Sequence, residues 1–298
     1  MIDPARQRAA ILAMVVATLL WGGTFVAIRD SVDRLSPAAL VFGRFAIASV
    51  VLWLLALVRR RLPDRHHLVV GAGSGVFMAG GYAFQAWGLQ HTSAGSSAFL
   101  TCAGTLLAGL IAWPVLRQRP DRTMWVGLAI AVAGSALLSL DGGFRLGQGE
   151  AVTLLGAALF AVQIVWVARH ADSIDPLALV TVQVTTVALL VAPFAGDLVV
   201  GYRGLPPEGW LAFAYLVLAG STIAPLLQID AQRVLPAARI GLLFALEPVF
   251  ALVFALTMGS ESFQPRWWAG AVLILIAVVW VEWRAAREPS PRSTPAAS

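Results

Sequence analysis

Apolar residues along this chain fall into ten long blocks separated by short polar connections: 9–29, 37–58, 68–90, 93–116, 122–140, 150–168, 176–195, 208–230, 236–258 and 266–283. A helix crossing a hydrocarbon core of roughly 30 Å needs about 20 mostly apolar residues, and each block meets that length within a few residues at its ends. The connections carry proline, glycine and charge: Ser36-Pro37, Arg61-Leu62-Pro63-Asp64, Arg119-Pro120-Asp121, Asp175-Pro176 and Pro206-Pro207. The third and fourth blocks have the weakest boundary, with only Gln90-His91-Thr92 between them. Strands of a membrane barrel would show about ten residues of alternating polarity, and these runs are too long and too uniformly apolar. The first block is too long for the apolar core of a cleaved signal peptide, and no small-residue cleavage site follows Trp21. The pattern predicts an all-α integral membrane protein of ten transmembrane helices.

Composition agrees with that pattern. Of 298 residues, 59% are hydrophobic and only 12% charged, with a mean hydropathy of +0.79; a soluble domain carries about 25% charged residues. The net charge of +5 comes from arginine alone, 21 residues with no lysine. Nucleic-acid binding would also call for a basic excess, but here the arginines sit in short connections between apolar blocks, so topology accounts for them. One side of the membrane receives Arg6, Arg8, Arg59, Arg60, Arg61, Arg65, Arg117, Arg119, Arg122, Arg169, Arg233, Arg239, Arg284, Arg287 and Arg292; the other receives Arg29, Arg34, Arg145, Arg203 and Arg266. That is 15 against 5, with Arg44 left inside a span, and the positive-inside rule then places both termini in the cytoplasm; a bacterial inner membrane is the expected location. The tail beyond residue 283, above all the Pro- and Ser-rich stretch Glu288–Ser298, has nothing to bury and reads as disordered. The lone cysteine, Cys102, lies inside an apolar block and rules out an intramolecular disulfide or a cysteine-cluster metal site.

The two halves of the chain can be laid on each other. A shift of 139 residues places Leu20-Trp21-Gly22-Gly23-Thr24 over Leu159-Phe160-Ala161-Val162-Gln163, Ser36-Pro37 over Asp175-Pro176, and Arg44 over Gln183. A shift of 143 then places Gln85 over Gln228, and Phe99 to Trp113 over Leu242 to Leu256. The repeats are thus 9–140 and 150–283, with five spans each. An odd number of spans makes the second repeat enter the membrane from the opposite face. Inverted repeats of this kind mark secondary transporters, whose substrate site lies near mid-membrane between the repeats.

The residues Trp21-Gly22-Gly23-Thr24-Phe25, then Ser36-Pro37 with Arg44, resemble the opening of an EamA-type member of the drug/metabolite transporter superfamily. The second half resembles it more closely, with Leu246-Glu247-Pro248-Val249-Phe250-Ala251 followed fourteen residues after Glu247 by Glu261. The resemblance covers about 11–283 as two repeats and implies export of amino acids or related metabolites and drugs. There are departures: Thr105 and Arg117-Gln118 stand where the family commonly has Pro and Gly-Glu, and Ser260 replaces Gly before Glu261.

Charges inside lipid are costly and usually face a bundle interior or cavity. Arg44 lies eight residues past Ser36, roughly 12 Å along a helix, and Glu247 lies eleven past Pro236, near mid-membrane. One reading makes Arg44 an anchor for a carboxylate-bearing substrate and Glu247 an amine-binding or proton-coupling group; the other pairs the two with each other, or with backbone carbonyls. Pro248 frees a carbonyl one turn back and kinks its helix, either toward a cavity or merely for packing. Trp21, Thr24, Tyr82, Gln85, Gln163, Trp166, Gln183 and Gln228 complete the set of cavity-lining candidates, with interhelical pairing as their other possible role. Trp210, Trp267, Trp268, Trp280 and Trp283 fall near span ends and read as an interfacial belt, and His66-His67 as solvated.

A membrane-embedded enzyme would need a converging catalytic set. His66, His67, His91 and His170 fall in loops or at span ends, and no lysine exists, so the chain is read as no enzyme. The glycines Gly71, Gly73, Gly75, Gly80 and Gly81 suit close helix packing and lack the Lys-Ser/Thr of a phosphate loop. No cofactor or metal site is expected. The partners are a small-molecule substrate and the bilayer, with no nucleic acid, in a monomer or homodimer. Within the resembled superfamily an importer or a nucleotide-sugar-type antiporter stays open.

Overall fold

The computed structural model describes residues 3–32, 35–92, 94–140, 147–196, 202–258 and 265–287. Residues 284–287, read with the disordered tail, continue the last helix instead; the rest of the tail, 288–298, together with Ser260, Glu261, Arg29, Arg34 and Arg145 or their side chains, lies outside the described residues, as does the side chain of Thr105. Ten helices are long and apolar enough to cross a membrane: α1 (Pro4–Val32), α2 (Pro37–Val58), α3 (Arg65–Leu89), α4 (Ala94–Leu116), α5 (Arg122–Ser139), α6 (Gln148–His170), α7 (Pro176–Val191), α8 (Pro207–Gln232), α9 (Ala237–Thr257) and α10 (Pro265–Arg287). Several run past the apolar blocks, α1 beginning at Pro4 and α10 ending at Arg287. Hydropathy marks the lipid-facing stretch, whereas a helix continues until a cap or a proline stops it.

The caps are written in the connections. Ser36 accepts a hydrogen bond from Ala39 N–H and Asp175 from Ala178 N–H, each with proline at the first helical position. The Ser36-Pro37 and Asp175-Pro176 pairs that align between the halves are therefore the same start signal used twice. Asp64 and Asp121 cap α3 and α5 in the same way.

Helix pairing shows the internal symmetry. α1 packs on α8 and α9, and α6 packs on α3 and α4. α3 lies on α7, and α2 on α8; α4 lies on α5, and α9 on α10. α2 with α7, α4 with α9 and α5 with α10 are pairs that map onto themselves. Exchanging the first five helices with the last five leaves this pattern unchanged, which is the architecture of two inverted five-helix repeats.

Each of the two buried clusters draws on both repeats. One gathers Met14, Ala108 and Leu128 with Ala231, Leu243 and Ile274; the other gathers Phe45, Leu52 and Val70 with Leu179, Leu216 and Ile229. Outside them, large apolar side chains point away from the protein, Leu211 at 75% exposure being one of many. In water such a surface would aggregate; against acyl chains it is the solvent-matched face.

Two helices are irregular at mid-length, and both irregularities adjoin a proline. In α8 the stretch Leu216–Ile223 winds as a π-helix just before Pro225. In α9 the α-helical pattern stops at Phe244 and restarts at Glu247, across a tighter turn in which Ala245 and Leu246 N–H reach Leu242 and Leu243 O. Pro248 cannot donate to Phe244 O one turn back, which accounts for the break. Pro114, by contrast, sits inside α4 without ending it.

Candidate functional site

The Trp21-Gly22-Gly23-Thr24 segment of α1 is the junction with the second repeat. In the π-helix, the Ala224 N–H bonds Ala219 O; the next donor in that register would be residue 225, a proline with no N–H. Gly220 O is left over, and the Trp21 indole Nε1–H supplies the missing bond at 2.9 Å. The same ring stacks on Phe244 at 5.2 Å, immediately before the break in α9. At Gly22 the helices meet backbone to backbone: a Cβ there would lie 2.9 Å from Ala251 N. Thr24 is buried against Gly220 and bonds back to Trp21 O at 2.6 Å. Tyr215 OH donates to Leu20 O at 2.8 Å. Trp21 and Thr24 therefore hold α1 against α8 and α9.

Arg44, in α2, is 5% exposed. Its guanidinium lies 4.8 Å from the Phe45 ring centroid and 4.9 Å from that of Tyr82, and its Nε has no hydrogen-bond partner. Glu247 stands at the first turn of the restarted half of α9, where the aligned peptide dipoles favour negative charge. It is partly exposed, and among the described residues its carboxylate has no hydrogen bond or ion pair. No ion pair joins Arg44 and Glu247, so of the two readings open in the sequence, direct pairing is not what the structure contains. The Tyr82 hydroxyl lies in the fields of both charges. Arg44 and Glu247 thus both act on the Tyr82 hydroxyl while no ion pair joins the two charges. Tyr82 meets Phe160 edge-on and Phe45 at a tilt, and the Tyr202 hydroxyl also lies in the field of Arg44.

The glutamines form a second, separate constellation. Gln232 donates to Ile164 O at 2.9 Å, and Gln228 donates to Gln232 at 3.2 Å and to Gln163 at 3.5 Å. Gln163 donates to Ser74 at 3.1 Å, Ser74 to Gln183 at 2.9 Å, and Gln183 to Met78 Sδ at 2.9 Å. This chain ties α8, α6, α3 and α7 together, and Gln183 within it is fully buried. The structure brings Gln163, Gln183 and Gln228 to one another rather than to open space. Gln85 is partly exposed and donates to Thr101 at 3.0 Å within the first repeat. Trp166 donates to Val70 O at 2.9 Å and packs edge-on against Phe77, a contact between α6 and α3.

Three expectations change. His67, read as solvated, is largely enclosed: Nδ1 meets Asp64 at 2.7 Å, and Nε2 accepts the Asp175 N–H at 2.9 Å. His67 thereby joins the α2–α3 and α6–α7 connections, beside the Arg61–Asp175 ion pair at 2.8 Å. The Asp64 carboxyl is held below the usual carboxylate range, first by the His67 backbone N–H and then by its ring. Trp267 is buried in the core, while Trp210, Trp268 and Trp283 are exposed as belt residues. Arg239, counted with the loop arginines, is buried and forms a bidentate pair with Glu282. Among the described residues no group of three or more His, Cys, Asp or Glu is placed to hold a metal ion.

Sequence reasoning missed Phe244, Ser74 and Tyr202. Phe and Ser are unremarkable in apolar spans, and Tyr202 lies in a connection; only the folded packing singles them out.

A ten-helix bundle of two inverted repeats, with isolated charges at mid-span, defines a membrane transporter. The EamA-like transporter family model matches residues 8–140 and 147–283. The chain belongs to that family. It is 28% identical to an uncharacterized transporter of Archaeoglobus fulgidus, over 92% of this chain and 86% of that one. It is 27% identical to a probable terminal-alkyne amino-acid exporter of Streptantibioticus cattleyicolor, over 96% and 97%. It is 26% identical to the inner membrane transporter YedA of Escherichia coli K12, over 90% and 89%. A crystal structure superposes with a TM-score of 0.78 at 20% identity, covering 94% of this chain and 98% of the other, a likeness of fold.

Proposed function

We propose that this transporter is a secondary-active exporter of amino acids or related small metabolites, working by alternating access around a site formed by Arg44, Tyr82 and Glu247. The observation that carries the reading is the unpaired state of the two charges. A buried guanidinium and a carboxylate left apart inside lipid are expensive, and a zwitterion offers each the partner it lacks: its carboxylate to Arg44, its ammonium to Glu247. The aromatic wall of Phe45, Tyr82 and Tyr202 would receive an apolar side chain. The amino-acid exporter among the relatives supports the same substrate class. No nucleotide-binding motif is present in the sequence, so the energy is assigned to a solute or ion gradient.

The test is counterflow of a panel of neutral amino acids in proteoliposomes. Arg44→Ala and Glu247→Gln each remove a charge-assisted contact of about 1.5–3 kcal/mol, so each should cut transport by roughly 10- to 100-fold. Transport of no amino acid by the wild type, or wild-type rates in both variants, would refute the assignment.

A further inference from the structure

Away from the central charges, a cavity of about 200 Å³ opens where the α4–α5 connection, the start of α9 and the end of α10 meet. Three arginines line it: Arg119, Arg239 and Arg284. Arg239 is 8% exposed and gives its Nε and Nη2 to Glu282, leaving Nη1 without a protein acceptor among the described residues. Asp121 also lines the cavity, one carboxylate oxygen accepting the Met124 N–H at 2.7 Å as the cap of α5, and with the paired Glu282 it leaves the three arginines in excess by one positive charge. Arg284 has no carboxylate partner among the described residues, and Arg119 rests on the Trp113 ring at 4.8 Å. Met124 and Val281 form part of an apolar wall. Trp113, which carries the Arg119 guanidinium, is exposed, as is Trp283, the neighbour of Arg284 in α10, and tryptophans of this kind sit at the headgroup level of a bilayer.

We propose that this cavity binds the phosphate headgroup of an anionic phospholipid, with the glycerol and first methylenes against the apolar wall. A free phosphate would satisfy the guanidinium groups but leave the apolar wall uncovered. A zwitterionic lipid would bring an ammonium or choline into a rim that already has excess positive charge. Basic pockets between helix ends at a membrane surface are suited to such headgroups. The site is independent of the central substrate reading and stands on its own residues.

Native mass spectrometry of detergent-solubilised protein supplied with phosphatidylglycerol or phosphatidylcholine tests it, with inorganic phosphate as competitor. Wild type should retain phosphatidylglycerol and release phosphatidylcholine. Arg119→Gln combined with Arg284→Gln should weaken phosphatidylglycerol retention by roughly 30-fold, given the worth of each arginine at a lipid surface. Arg169→Gln, on an exposed arginine elsewhere, should leave it unchanged, and the corresponding double lysine variant should recover most of it. Equal retention of both lipids, an equal loss in Arg169→Gln, or full displacement by millimolar inorganic phosphate would overturn the proposal.

Discussion

At the scale of single residues, the Trp21 indole does a job normally done by the backbone. Gly220 O would be a buried orphan acceptor in a helix whose next donor is Pro225. Trp21→Phe keeps the stack on Phe244 but abandons that carbonyl, at a cost of about 1–3 kcal/mol. Pro225→Ala restores an N–H in the right register, so the double variant should lose less than the sum of the singles, as read from detergent unfolding midpoints. Gly22→Val tests a different limit: with Ala251 N at 2.9 Å from any added Cβ, folded protein should fall sharply, whereas Gly196→Ala, with open space around it, should be neutral. The Gln183–Ser74 bond belongs to scaffold in this packing. A Gln183→Leu, Ser74→Ala cycle should show coupling of about 0.6 kcal/mol. Asp64 sets one pH limit. Its folded pKa lies below the unfolded value, so its contribution is fully present above about pH 4 and is lost as pH falls through the folded value. Amide exchange in the first turn of α3 should quicken over that acidic range.

Among whole elements, the sequence exposes what is local and conceals what is shared. Span length, the Ser-Pro and Asp-Pro starts and the Pro248 break were legible because each depends on neighbours along the chain. The π-helix was not, since its register is stabilised by an indole 199 positions away. The same holds for the central residues: Arg44 and Glu247 stood out as charges within apolar blocks, but their failure to pair is a property of packing. The glutamines looked alike in sequence, and only their mutual hydrogen bonds separate them from Arg44 and Tyr82. The broken α9 makes its own prediction. Pro248→Ala returns a donor to Phe244 O and lets the helix run straight, so thermal stability should rise while transport falls, Glu247 having lost its place at a helix start. Stability and transport falling together would remove the break from the mechanism.

For the molecule as a whole, we propose that both termini lie in the cytoplasm, from the arginine asymmetry of 15 against 5. A carboxy-terminal green fluorescent protein fusion should then fluoresce, and a phosphatase fusion at the same point should be inactive. The paired contacts of α1 with α8–α9 and of α6 with α3–α4 make each half complete the other, so residues from both repeats meet in each buried cluster. This has a bearing on biogenesis. When ribosomes have delivered only α1 to α5, neither cluster can close, and the nascent half has to wait in the bilayer as loosely associated helices. Expressed alone, residues 1–140 should be cleared by membrane proteases; expressed together with residues 147–298 as a separate chain, both pieces should persist and co-purify.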